Sequence, residues 1–283
     1  MKLEQIFDID AFIKNALAED HAYEDHSSIS CFPPEVQKKS ILISREPGIV
    51  AGVNFAAKVF QFFDPEISVN ILVHDGERLQ PGSRIMEIEG SARSILACER
   101  TALNIMQRLT SVASVTGQLV EKIKKYGTIL LDTRKTTPGW RIPEKWAVQC
   151  GGGQNHRLGL HDAVMLKDNH IDFCGSATLA LQKVQNYLQE SALKIPVIIE
   201  ARNFEEIQEI LNSGIADRIL IDNFSTKDLK EAVTMIGDAA ETEASGGINF
   251  TNIEETAATG VQFISTSMMT QGAGQFDLSL QAG

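Results

Sequence analysis

From Gly127 onward the sequence alternates short apolar strands with amphipathic helices, and this constrains the fold more than any other feature. The strand-like runs are TILLD, AVMLK, PVIIE, RILID, ETEAS and VQFIS. Between them lie helical stretches such as TLALQKVQNYLQE, FEEIQEILNSG and TKDLKEAVTMIG. Such alternation predicts a parallel sheet with right-handed crossovers. The strand ends decide between an open sheet and a barrel. Asp132, Arg134 and Lys135 follow the first run, and Lys167 ends the second. Glu200, Asp222, Ser245-Gly246-Gly247 and Ser267 mark the other four. A barrel gathers all its C-terminal strand ends at one mouth, where active sites of such folds lie. An open sheet spreads them along an edge, with only the switch point useful. Six charged or glycine-rich ends favour a barrel-like closure, although six βα units are fewer than the usual eight.

Upstream the texture differs. Ile9, Phe12, Ile13, Ala16 and Leu17 follow helical spacing, with Asp8 or Asp10 available as a cap. A polar stretch, EDHAYEDHSSIS, precedes the runs KSILISRE, IVAGV, ISVNILV and RIMEIEG, with turns at Pro47-Gly48 and Asp75-Gly76 and a short helix near Phe55 to Phe62. This reads as a small α+β domain. Ser91 to about Tyr126 reads as two helices meeting near Thr110-Ser111. The expected organisation is an N-terminal domain over residues 1–110, a barrel over 111–270, and a segment 271–283 returning to the first domain.

Charge supplies the functional lead. Residues 132–171 hold Arg134, Lys135, Arg141, Lys145, Arg157 and Lys167 with His156, His161 and His170, against only Asp132, Glu144, Asp162 and Asp168. The whole chain carries a formal charge of -11. A cationic island in an acidic protein suits a small, multiply charged anion, not nucleic acid, which needs a broad basic face. No apolar run approaches the length of a membrane span. Four cysteines without CxxC spacing read as structural or incidental thiols in a reducing compartment. The opening MKLEQIFDID lacks the pattern of a signal peptide, and the expected location is cytoplasmic.

Each candidate has a plainer reading. EASGGI is either a strand-to-helix turn or a set of backbone N–H groups for a phosphate. Glu200 and Asp222 are either helix-capping acids or partners for sugar hydroxyls and a developing cation. The histidine spacing fits no compact metal motif; His156 beside Arg157 suits anion contact, whereas His161 and His170 read as structural. Lys167 allows a Schiff base, but neighbouring arginines make charge pairing the more economical role. Arg100, taken alone, is a surface ion pair with Glu99 or another neighbour.

Taken together, ERTALNIMQRL, DTRKTTPGWR, GGGQNHRLGLHDAVMLKDNH, PVIIEAR, ILIDNF and EASGGI resemble the quinolinate phosphoribosyltransferases, in order from about Glu99 to Thr270. The N-terminal region is similar more loosely, through its ED…ED pattern, REPGIVAGV and a DGE turn. The resemblance implies an α/β sandwich domain plus an incomplete α/β barrel of the TIM type, assembled as a homodimer with shared sites. It implies coupling of quinolinate with phosphoribosyl pyrophosphate (PRPP) and decarboxylation, giving nicotinate mononucleotide, pyrophosphate and carbon dioxide. Arg100, Arg134, His156, Arg157 and Lys167 would hold the two carboxylates, with Arg100 serving the partner's barrel. Thr133 and Lys135 would face PRPP, Glu200 and Asp222 its ribose, and Ser245, Gly246, Gly247 and Ser267 its 5′-phosphate. Lys135, Glu200 and Asp222 would be catalytic. Magnesium would arrive with PRPP, without a dedicated protein ligand set.

At two positions the sequence departs from the family pattern. Ser267 stands where a glycine is usual, and Gln271 where a histidine is common. The rival functions are a related phosphoribosyltransferase or ribosyl-phosphate-binding barrel enzyme acting on another ring acid without decarboxylation, and a non-catalytic ligand-binding protein. The joint presence of Lys135, Glu200 and Asp222 argues against the second.

Overall fold

The computed structural model describes residues 6–283; the first five, part of the stretch read for a targeting signal, lie outside the described residues. Two compact units emerge, one of the described residues up to 117 with 137–152 and 272–283, the other of 118–136 and 153–271. Compared with the expected boundaries, 137–152 is grouped with the N-terminal unit.

The first unit is built on a four-stranded antiparallel sheet in the order Leu278–Ala282, Gln37–Ser44, Arg84–Ser91, Ser68–Ile71. The C-terminal strand runs antiparallel to Gln37–Ser44, with Ser40 opposite Ala282 and Ser44 opposite Leu278. Alternate residues Ser40, Leu42 and Ser44 are buried, the pattern of a strand with one covered face. Of IVAGV, only Ile49 is strand, in the two-residue run Gly48–Ile49 paired with Arg78–Leu79. The chain then turns at Gly52, whose φ of +93° suits glycine, into the helix Val53–Phe63. The polar stretch forms a 3₁₀ turn, Ala22–Glu24, and a short helix, His26–Cys31, capped by the Asp25 carboxylate. Phe7, Phe12, Phe55 and Trp140 form an aromatic cluster, with the Phe12 and Trp140 rings 4.5 Å apart.

A single helix of 32 residues, Ala92–Ile123, replaces the two expected. Serine and threonine usually weaken helix interiors by competing for local backbone bonds. Here their hydroxyls are used on other segments. The Thr110 hydroxyl meets the backbone of Ala51, Ser111 donates to the Gly274 carbonyl, and the Ser114 hydroxyl accepts from the Ile49 N–H. The pair that looked like a break is a set of docking points.

The second unit contains six parallel strands: Ile129–Leu131, Val164–Leu166, Val197–Ala201, Arg218–Asp222, Glu241–Ser245 and Phe263–Ser265. They are called the first to sixth barrel strands below. All six coincide with the expected runs. Their order in the sheet is first, sixth, fifth, fourth, third, second. The first and second strands are its two edges; a lone bridge from Leu131 to Gln154 stands where a full ladder would close the barrel. The barrel is therefore incomplete. Ala163, Ile198 and Leu220 pack together inside, with Met165 against them. The helices Ala177–Ser191, Phe204–Ser213 and Thr226–Ile236 are capped by Ser176, Asn203 and Ser225, whose side chains accept backbone N–H bonds.

Candidate active site

The barrel unit brings together the C-terminal strand ends, and with them all the expected site residues except Arg100. Strand pairing sets their levels: Leu166 lies opposite Ile199, Glu200 opposite Leu220, and Asp222 opposite Ser245. Lys167 Nζ bonds Glu200 Oε2 at 3.1 Å, tying the ends of the second and third strands. Lys167 is thus paired with a carboxylate of the protein itself. His170 accepts the Lys167 N–H through Nδ1, so it serves as a helix cap.

The cationic wall starts from Asp132, which is fully buried after the first strand. Its Oδ1 accepts the His156 N–H at 2.8 Å and its Oδ2 accepts the Asn155 side chain at 2.6 Å. This joins the loop carrying Arg134 to the loop carrying Arg157. The Nε atoms of both arginines are buried without a hydrogen-bond partner. Burial, and then the neighbouring Arg134 charge, push the Arg157 guanidinium below its ordinary value, with Asp162 partly opposing them. Asp162 holds the turn after Arg157 by accepting from the Leu158 and Gly159 N–H groups, at 2.6 and 3.0 Å. Thr133 accepts the Lys135 N–H, and the Lys135 carbonyl accepts the Thr270 hydroxyl at 2.8 Å, leaving an exposed lysine side chain on a held backbone.

His156 is more internal than expected. Its Nδ1 accepts the Arg157 N–H at 2.8 Å, and its Nε2 lies 3.2 Å from Glu243 Oε2. Both ring nitrogens are engaged by the protein.

On the acidic side, Asn223 follows Asp222 in the left-handed region, with φ of +59°. Its Nδ2 donates to Asp222 Oδ2, and its N–H donates to the Ser245 carbonyl. Gly246 has φ of +97°, and a Cβ there would lie 2.3 Å from Asn223 Oδ1, so only glycine fits. Ser267, the departure from the family pattern, does not have a left-handed backbone, so its side chain is sterically ordinary. Gln271 closes the same turn, donating its N–H to the Ser267 carbonyl at 2.8 Å.

The family profile for quinolinate phosphoribosyl transferase, N-terminal domain, matches residues 25–110, and that for its C-terminal domain matches 112–281. The chain belongs to the quinolinate phosphoribosyl transferase family. The probable nicotinate-nucleotide pyrophosphorylase [carboxylating] of Synechocystis is 37% identical over 96% of this chain and 92% of that protein. The nicotinate-nucleotide pyrophosphorylase structure from Francisella tularensis superposes with a TM-score of 0.92 at 37% identity, covering 97% of this chain and 96% of that one. NadC from Streptococcus pyogenes gives 0.93 at 36% identity, covering 100% and 99%.

In this member of the quinolinate phosphoribosyl transferase family, Arg100 belongs to the first unit. It is exposed, on a cleft of about 900 Å³ whose walls include Asn104, Gln107, Arg108 and Phe276. Arg141 and Lys145, counted above in the cationic island, also belong to the first unit, with Lys145 fully buried. Sequence reasoning passed over Asn223, Glu243 and Thr270. An Asn after a strand-ending Asp was the visible signal for the first; the other two depend on partners distant in sequence. Burial pushes the Cys98 and Cys150 thiols up to about 12, far from nucleophilic thiolates.

Proposed function

We propose that this chain transfers the phosphoribosyl group of PRPP to quinolinate and decarboxylates the product, giving nicotinate mononucleotide, pyrophosphate and carbon dioxide in NAD biosynthesis. The observation that carries this reading is the Arg134–Arg157 pair. Two like-charged guanidiniums with partnerless buried Nε atoms are an arrangement that a dicarboxylate completes, since planar arginines bind carboxylates bidentately. Lys167 adds a third cation, and His156 supports the group from beneath. The pyridine nitrogen attacks C1′ of PRPP as pyrophosphate leaves. Glu200 and Asp222 face the ribose and stabilise its positive charge. As the adjacent carboxylate departs as carbon dioxide, the pyridinium nitrogen stabilises the electron pair left on the ring carbon, which then takes a proton from solvent. Lys135 faces the pyrophosphate, with Thr133 beside it. Ser245, Gly246, Gly247 and Ser267 take the 5′-phosphate. No protein nucleophile is needed; positioning and charge carry the reaction.

Magnesium belongs to the PRPP substrate in this reading. Among the described residues no group of three or more His, Cys, Asp or Glu is arranged to hold an ion. In this reading the ion is carried by the pyrophosphate oxygens. Arg100 serves the barrel of a partner subunit in a cytoplasmic homodimer, and its exposure beside Asn104 and Gln107 supports that role. The reading assigns the chain no nucleic-acid or membrane partner. No helix of the described residues is long and apolar enough to cross a bilayer.

The test is a panel of ring acids with PRPP and magnesium, assayed for mononucleotide and carbon dioxide. Turnover of quinolinate with equal yields of both is expected. Turnover of another acid without carbon dioxide would overturn the reading in favour of a non-decarboxylating relative. The shared site is tested by mixing Arg100→Ala with Lys135→Ala subunits, each inactive alone. Recovered activity is expected; none after verified subunit exchange counts against it.

A further inference from the structure

Glu243 is a fully buried acid in the middle of the fifth barrel strand, and the reaction above assigns it no task. Its Oε2 meets two groups, His156 Nε2 at 3.2 Å and Arg218 Nη1 at 3.1 Å. Arg218 is itself fixed: its Nε and Nη2 bond Glu241 at 2.9 and 2.7 Å, and its guanidinium stacks 3.8 Å from the centre of the Phe263 ring. The acid therefore hangs from a rigid support and reaches one histidine.

The two hydrogen bonds of that histidine select one proton arrangement. Nδ1 accepts the Arg157 N–H, so it carries no hydrogen. The ring proton sits on Nε2, where the Glu243 carboxylate accepts it. The opposite tautomer would set two N–H groups against each other at Nδ1 and leave a buried carboxylate facing a lone pair, costs of about 1–3 kcal/mol each. The chain Arg218–Glu243–His156 ends on the backbone of Arg157, whose guanidinium stands beside Arg134. Burial alone would push the Glu243 acid up, but His156, then a hydrogen bond from Ser265 and then the Arg218 charge, outweigh it and keep the carboxylate below its ordinary range, charged at neutral pH.

We propose that Glu243 is a positioning residue for the ring-acid half of the site, acting by fixing His156 as the Nε2–H tautomer so that Nδ1 holds the Arg157 backbone in place. The role rests on the quinolinate reading for its kinetic consequence but not for its structural one. It reaches the substrate only through His156 and Arg157, so it governs one substrate and leaves PRPP alone.

The test uses full-length Glu243→Ala and Glu243→Gln. Glu243→Ala removes the acceptor but leaves Arg218 paired with Glu241, so the barrel keeps its support. It is expected to raise the KM for quinolinate by about ten- to a hundredfold, the loss of one buried hydrogen-bond acceptor propagated to one contact, with the KM for PRPP changed by less than about threefold. Glu243→Gln keeps an oxygen for Nε2–H and is expected to restore most of the quinolinate KM. A parallel rise in both KM values, or failure of Gln to restore, would make Glu243 merely structural. A second measurement is independent of catalysis: the ¹⁵N shifts of His156 in labelled protein without substrate. They are expected to report Nε2–H in wild type and Glu243→Gln, and a mixture in Glu243→Ala. An Nδ1–H wild type, or an unchanged spectrum in Glu243→Ala, overturns the proposal. If the wild type shows the Nε2–H tautomer but never turns over quinolinate, the functional reading alone has failed.

Discussion

Arg157 separates binding from stability more sharply than any other residue of the site. In the unliganded protein its Nε is buried without an acceptor and Arg134 repels it. A buried unsatisfied donor costs about 1–3 kcal/mol. Against this stands one bond, Nη1 to the Ala163 carbonyl at 3.2 Å, contributing about 1 kcal/mol. Arg157→Met keeps the length and apolar stem while removing the charge. The unliganded variant should be at least as stable as wild type, by up to about 2 kcal/mol, read as a Tm higher by up to about 6 °C. Quinolinate should then lose a charge-assisted contact of about 2–4 kcal/mol, raising its KM by about thirty- to a thousandfold. Thermal unfolding with and without quinolinate gives both numbers. At a hundred times the wild-type Kd the ligand stabilises wild type by about 2.7 kcal/mol, and at the same concentration it should stabilise the variant by less than about 1 kcal/mol. A variant that melts several degrees lower yet keeps the full ligand-induced shift would refute the argument, because the guanidinium would then be a structural strut.

Three further outcomes follow from the geometry. Asn223→Gly keeps the left-handed backbone but removes the amide on Asp222, so kcat should fall with little change in Tm; Asn223→Ala should lose both, adding about 1–2 kcal/mol of instability, as urea titration would show. Ser267→Gly should cost about 0.5–1 kcal/mol through chain entropy and raise the KM for PRPP by no more than about tenfold; a better enzyme would mean that the side chain crowds the phosphate. Glu243 has its folded-state pKa below the ordinary 4.5, so its ionisation stabilises the protein above that pH and the benefit fades as the pH falls through the folded value. The Tm difference between wild type and Glu243→Gln should narrow from pH 7 towards pH 3, and a widening gap would reverse the sign of this reasoning.

Much of this site was legible because barrels couple sequence order to position. A polar residue ending an apolar run is carried to the mouth whatever the loops do, which is why Lys167, Glu200 and Asp222 could be placed from the sequence. Arg141 and Lys145 misled for the converse reason. They lie within the cationic segment, but residues 137–152 are grouped with the first unit, and local charge density says nothing of that excursion. Glu243 lay in ETEAS as an ordinary alternating strand residue; its partner His156 is 87 positions away. The long helix was hidden because Thr110 and Ser111 find partners at Ala51 and Gly274, which no local pattern encodes.

The seam of the barrel explains why the cations lie where they do. The first and second strands lack a shared ladder, and the chain bridges that gap with Leu131–Gln154 and the Asp132 carboxylate. Arg134 follows one side of the seam and Arg157 the other. Two like charges can be held together there because Asp132 fixes both loops through backbone and amide bonds. Asp132→Ala should therefore act as a seam mutation. It removes two charge-assisted acceptor contacts from a fully buried position, a loss of about 3–5 kcal/mol. Urea unfolding should show that loss, and quinolinate affinity should fall more than PRPP affinity because both arginine loops loosen together. A loss below about 1 kcal/mol with unchanged quinolinate binding would mean that neighbouring strands hold the seam without it.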